Sequence, residues 1–257
     1  MNTLTPPAIS AIHPRASRLR IYRAEALCEL RRAWRTPAFM LPSLLFPVLF
    51  YSLFGLLLGR GHAAQYLLAT YCVFGAMAPA LFGFGVQLAL DREGGLLTLK
   101  RALPMPPMAP LLARLLMAVL FALLVATVLI GVAALAGVAL SPRMLVHLLA
   151  VAAFAALPLG AIGLWIGSHV SASAAPAVVN LVYLPLALLS GLWLPLSGLP
   201  PVFGTLAPLW PTWHLAQLAL PAVGMPAQGS AAVHVAVLLA VTAAALGLAR
   251  RRLRRVG

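Results

Sequence analysis

Four acidic side chains, Glu25, Glu29, Asp91 and Glu93, are all that 257 residues offer for carboxylate chemistry. The basic set is one lysine, Lys100, and seventeen arginines. A phosphate-binding loop needs Gly-Lys-Ser/Thr, in which glycine-rich backbone cradles the phosphates and the lysine reaches them. Lys100 stands instead between Leu99 and Arg101, so the chain has no Walker motif for ATP. No G-x-S-x-G or comparable nucleophile–base motif is present. The histidines, His13, His62, His147, His169, His214 and His234, form neither a H-E-x-x-H pair nor a Cys/His cluster, so no metal or haem site is expected. Cys28 lies in a basic segment and Cys72 in an apolar run, which argues against a disulfide between them.

The elements that carry these few groups are built for lipid. Hydrophobic residues make up 63% of the chain and charged residues 9%, against about 25% charged in a soluble domain. Mean hydropathy is +1.01. A soluble enzyme needs far more polar surface. The apolar runs are continuous and about 20 residues long, a helical spanning length rather than the short alternation of an outer-membrane barrel. A net charge of +14 would also suit a nucleic-acid partner. The arginines, however, sit in three blocks beside apolar runs and read as orientation signals, so the partner expected is the bilayer and no nucleic acid.

The fold class expected is an all-α polytopic integral membrane protein with six transmembrane helices, over about 41–59, 67–90, 111–139, 147–167, 176–194 and 229–249. The third run exceeds the bilayer's need and is expected to tilt or protrude. With both termini cytoplasmic, only Arg60 and Arg143 among the eighteen basic residues fall outside. Residues 195–228 are apolar but hold Pro195, Pro200, Pro201, Pro208, Pro211, Pro221 and Pro226. A seventh span there would absorb several prolines at about 3 kcal/mol each and export the tail Arg250–Arg255. A re-entrant or external hairpin between helices 5 and 6 fits better, with Trp193, Trp210 and Trp213 at interface depth.

Residues 1–14 read as a disordered cytoplasmic tail, 15–250 as the transmembrane domain and 251–257 as a basic cytoplasmic tail. A cleaved signal peptide is not expected, because about forty mostly polar residues precede the first apolar run. Leu19, Tyr22, Ala26, Leu30, Ala33 and Trp34 share one face of a helical wheel, with Arg18, Arg20, Glu25, Arg31, Arg32 and Arg35 on the others. This predicts an amphipathic interfacial helix ending near Pro37, characterised by Tyr22, Glu25, Glu29, Leu30 and Trp34.

The charged loop after span two runs from Asp91 to Pro104. Acids at its start, Lys100 and Arg101 near its end and Leu96, Leu99 and Leu103 along one side describe a short helix that can dock in a groove on a soluble partner. Gly94-Gly95 lowers helix propensity by about 1 kcal/mol per residue, which places the helix start at Leu96. The competing reading is a plain connecting loop kept cytoplasmic by its charges. No Asp, Glu, Lys or Arg lies well inside a span, which disfavours ion coupling through a carboxylate. Such a chain works passively or borrows an energy source. Span five lines up Pro176, Asn180, Tyr183, Ala187 and Ser190, a polar stripe that should meet protein or a cavity.

In this order, the amphipathic helix, six spans, the Asp91-Arg92-Glu93-Gly94 loop, Leu189-Ser190-Gly191-Leu192-Trp193-Leu194-Pro195 and Leu209-Trp210-Pro211 resemble the membrane subunit of a type-2 ABC exporter, over residues 15–250. The resemblance implies two copies of a separate ABC ATPase subunit, which would hold the ATP and magnesium, leaving this chain no cofactor and no enzyme activity of its own. It implies a second permease copy, most simply a homodimer, in a bacterial cytoplasmic (inner) membrane. Asp91, Arg92, Glu93, Leu96, Leu99, Lys100, Arg101 and Leu103 would form the ATPase-coupling helix. Phe50, Phe54, Tyr71, Asn180 and Tyr183 would line the translocation pathway. An aromatic, uncharged pathway suits efflux of an amphipathic small molecule or drug. Polysaccharide or glycolipid export within the same family, and a secondary transporter without an ATPase, are the alternatives.

Overall fold

The computed structural model describes residues 17–57, 59, 62–106 and 108–256, without the side chains of 37–40, 101 and 256. The expected tail over 1–14 and the residue Arg60 lie outside the described residues. Among the described residues every regular element is helical, as expected of a chain that must satisfy its backbone within each segment in lipid.

Helix α1 (Arg18–Trp34) starts where the Ser17 side chain accepts a hydrogen bond from the Arg20 N–H at 3.3 Å. Helix α2 (Pro37–Phe50) carries Pro42 and Pro47 and widens into a π-helical stretch over Tyr51–Leu57. Each proline removes an N–H from the ladder. A Cβ on Gly55 would stand 2.8 Å from the Tyr51 ring, so only glycine lets the ring fold back there.

Helices α3 (Ala63–Glu93), α5 (Ala109–Leu135), α6 (Pro142–His169) and α10 (Ala231–Val256) are long and apolar enough to cross a membrane, while α2 with its extension and α7 (Ala175–Leu189) are shorter apolar helices. Helix α3 is the central post, with 89% of its most apolar window buried. It meets α6 across glycines: a Cβ on Gly163 would lie 2.7 Å from the Leu81 carbonyl oxygen, and one on Gly167 2.2 Å from that of Gly85. Elsewhere on α3, Gly75 faces Val125, whereas Gly83 has open space beside it.

Boundaries differ from expectation where a glycine stops a helix. The third run ends at Leu135 rather than near 139, because Gly137 takes φ +81. Its 27 residues still give about 40 Å of helix against about 30 Å of hydrocarbon. The fifth ends at Leu189 rather than near 194, with Gly191 at φ +74 and its carbonyl accepting from the Tyr66 hydroxyl at 2.8 Å. The last helix does not stop before the basic tail: α10 runs through Arg250–Arg255 to Val256.

Between α7 and α10 the chain forms broken helical pieces, α8 (Pro201–Leu206) and α9 (Pro211–Ala219) with 3-10 turns around them. Prolines open these pieces, where their missing N–H costs nothing. The hairpin returns to the end of α7, where Ser190 and Thr212 touch through their hydroxyls and both reach the Leu186 carbonyl, at 2.6 and 2.9 Å. The tryptophans are not a simple interface belt. Trp213 is buried against His214 and His234, and Trp193 packs on Phe50 and Phe74.

Candidate functional site

Three of the four acids meet three bases at one end of the bundle. Arg32 on α1 grips Asp91 on α3 with both guanidinium branches, at 2.8 and 3.2 Å. Arg114, in the second turn of α5, donates to the same carboxylate from the other side, and its Nε stands 3.6 Å from Glu29 of α1. Lys100 on α4 (Leu96–Ala102) pairs with Glu25. Asp91 and Arg114 are 4% and 5% exposed, so neither charge is solvated. Hydrogen bonds from Arg32 to Asp91 hold that guanidinium above its ordinary range against the downward push of burial, with the charges of Asp91 and Glu29 adding to the rise. The network is neutral, and it ties α1, α3, α4 and α5 together.

Arg92 adds a fifth element. Its guanidinium donates to the carbonyl oxygens of Ser168 and Val170 at 2.5 and 2.6 Å, the open end of α6. Cationic donors at a helix C-terminus satisfy free carbonyls and complement the dipole.

These contacts redirect several residues of the expected coupling element. Asp91, Arg92 and Lys100 are committed inside the chain and position the loop rather than line its surface. Glu93 is exposed, Leu96 half-buried, and Leu99 and Leu103 are 59% and 50% exposed. Leu97, which the sequence did not single out, is the leucine that packs on the core. The Arg101 side chain lies outside the described residues. Gly95, at φ +73, takes a left-handed conformation that only glycine adopts without cost, and α4 begins at Leu96 as its propensity predicts. The result is a rigidly held knob whose outer side is Glu93, Leu99 and Leu103.

The interfacial helix is rotated from the expected pose. Glu25, Glu29 and Arg32 face the bundle, not water, while Leu19, Leu30 and Trp34 are exposed at 69%, 41% and 75%, and Tyr22 is half-buried. Hydropathy alone cannot find this face, because the partners Asp91, Lys100 and Arg114 lie far along the chain.

The five expected pathway residues divide. Asn180 and Tyr183 border an open groove of about 300 Å3 between α2, α3 and α7, shared with Ser43, Phe46 and Phe82. Phe50 adjoins it through Phe46, with ring centroids 4.3 Å apart, and Phe54 follows at 5.6 Å from Phe50. Tyr71 is fully buried beside Tyr51 and Phe74. The Tyr51 and Tyr71 hydroxyls have no hydrogen-bond partner among the described residues. No cluster of three metal-ligating side chains occurs among the described residues.

A helical membrane bundle that presents a charged, internally braced knob at one end and an aromatic groove along one flank has the make-up of a transport subunit. Comparison with known proteins agrees: residues 26–223 match the ABC-2 type transporter family, and the chain belongs to it. It is also similar to a Bacillus subtilis (strain 168) protein named "Putative transport permease YvfS", 26% identical over 203 residues that cover 76% of this chain and 82% of the relative. The chain is therefore a multi-pass ABC transporter permease, a transport subunit whose family works with an ABC ATPase.

Proposed function

We propose that this permease exports an amphipathic small molecule from a bacterial cytoplasm, as a homodimer carrying two separate ATPase subunits. ATP and magnesium belong to those subunits and no cofactor belongs to this chain. Both termini are cytoplasmic, in keeping with the arginine distribution. The observation that carries the reading is the knob of Glu93, Leu99 and Leu103. Exposed leucines on a cytoplasmic loop would be a liability without a partner, and this loop is braced to four other helices through Asp91, Arg92, Lys100 and Arg114. A push on the knob is then delivered to α1, α3, α5 and α6 together. A rigid contact with different affinity for two states is what ATP-driven switching requires.

The groove supports the cargo class. Its walls are aromatic and uncharged, with Asn180 and Ser43 as polar points, a surface suited to an apolar body with a hydrogen-bonding group. The unsatisfied Tyr51 and Tyr71 hydroxyls cost about 1–3 kcal/mol each where they are. They supply polar lining when the bundle opens.

The test is co-purification from native membranes in mild detergent, comparing the wild type with Leu99→Glu and Glu93→Arg. A P-loop ATPase should accompany the wild type and be lost from both variants while their melting profiles stay unchanged. Failure of well-folded wild type to retain an ATPase after cross-linking would sink the reading.

A further inference from the structure

A buried histidine pair lies at the opposite end of the bundle from the charged network. Helix α6 spans the two: Arg92 holds its last turn, while His147 in its second turn lies 2.9 Å from the Leu218 carbonyl of the hairpin. The 21 residue steps from His147 to Ser168 separate these contacts by about 32 Å. His214 on α9 and His234 in the first turn of α10 are 6% and 2% exposed, with their Nδ1 atoms 2.8 Å apart. The Nε2 of His214 lies 2.9 Å from the Pro208 carbonyl oxygen, and that of His234 2.7 Å from the Gln228 carbonyl oxygen.

Hydrogen counting decides what this arrangement is. A carbonyl only accepts, so each Nε2 must carry a hydrogen. A neutral imidazole has one N–H. Two neutral rings would spend both on the carbonyls and aim two Nδ1 lone pairs at one another. Moving either hydrogen to Nδ1 turns a lone pair on a carbonyl instead. Three contacts need three N–H groups. We propose that His214 and His234 form a proton-binding site: one proton taken up from solution sits between the two Nδ1 atoms and latches the hairpin to α10, and its departure releases the latch.

The surroundings fit a proton rather than a metal ion. Two nitrogens that each lie about 2.0–2.1 Å from a tetrahedral zinc stand about 3.3–3.4 Å from one another, wider than the 2.8 Å found here, which is a hydrogen-bond distance. Trp213 packs at a steep angle to both rings, with centroids at 5.0 and 5.5 Å, and covers the pair. The Gln217 side chain accepts from the Gln228 N–H at 2.8 Å, so the carbonyl that holds His234 is itself held. Among the described residues, the ionisable groups toward this end of the packed helices are His62 just before α3, Tyr66 on α3, Arg143 and His147 on α6 and, further in, Tyr183 on α7. None of the four acids is at this end. Burial keeps His214 below the usual imidazole range, the Pro208 carbonyl works against that, and the charge of His234 lowers it further.

The test is proton and nitrogen NMR of the full-length chain in lipid nanodiscs, with isotope-labelled histidine, from about pH 5 to about pH 8.5. At the acid end one far-downfield proton coupled to two ring nitrogens is expected. It should vanish as the pH rises while both Nε2–H signals persist. His214→Gln and His234→Gln should each abolish it and leave the titrations of His62, His147 and His169 in place, which reports intact folding. Absence of the shared proton from wild type at every pH, or two rings titrating independently, would overturn the site. So would a signal that appears only with added zinc(II) or copper(I) and disappears with a chelator.

Discussion

At the scale of single residues, Asp91 is the point on which the charged end turns. It receives two guanidinium groups at 4% exposure, so removing its charge strands Arg114 in a place water barely reaches. Breaking one partner of such a buried pair costs about 3–5 kcal/mol, more than the pair itself contributes, because the remaining ion is left uncompensated. Asp91→Asn should lower the melting temperature of the purified permease by several degrees, and the loss should survive added salt, since a buried pair is poorly screened. Glu93→Gln, two positions on but exposed, should melt as the wild type does. A shared effect of both substitutions on ATPase binding with none on melting would contradict the assignment of Asp91 as a brace.

At the scale of elements, the bundle is held by close helix crossings as much as by apolar area. Helices in lipid gain little from burying hydrophobic surface and pack by backbone approach instead. Gly167→Ala would drive a Cβ to 2.2 Å from the Gly85 carbonyl oxygen, backbone against backbone, so α3 and α6 must part. A destabilisation of at least about 1–3 kcal/mol is expected. Gly131→Ala on α5 has open space around it and should be neutral or stabilise by up to about 1 kcal/mol. Thermal melts of the two variants side by side decide this; equal melts would mean that the crossing is looser than the backbone distances imply. Much at this scale was legible beforehand. Hydropathy located the four long apolar helices and the two shorter ones, α2 and α7, proline content marked the hairpin and Gly94-Gly95 marked the start of α4. What stayed hidden shares one cause. The inward face of α1, the Arg92 grip on α6 and the His214–His234 contact all join residues distant in the chain, with no local period to announce them. A wheel ranked by hydropathy turns Glu25 and Glu29 toward water because it cannot see Lys100 and Arg114.

At the scale of the whole molecule, the proposed homodimer must use one flank of the bundle for its second copy. Exposed leucines do not identify it, since α5, α7 and α10 all present them to lipid. Asn180 does. Its amide carries two donors and an acceptor onto an exposed flank of α7, beside the groove with Tyr183 and Ser43. In hydrocarbon that group seeks a partner across a helix interface. A two-fold dimer that uses this flank brings α7 of one copy near α7 of the other, so a residue close to the axis meets its own equivalent. Asn180→Cys should therefore cross-link to itself in membranes under mild oxidation, and Leu124→Cys, 45% exposed on α5, should not. Asn180→Leu should weaken the dimer while leaving the knob, and hence capture of the ATPase, intact. Cross-linking through Leu124→Cys with none through Asn180→Cys would move the pairing surface to α5 and leave the Asn180 groove facing lipid, an open side door rather than part of a shared central pathway.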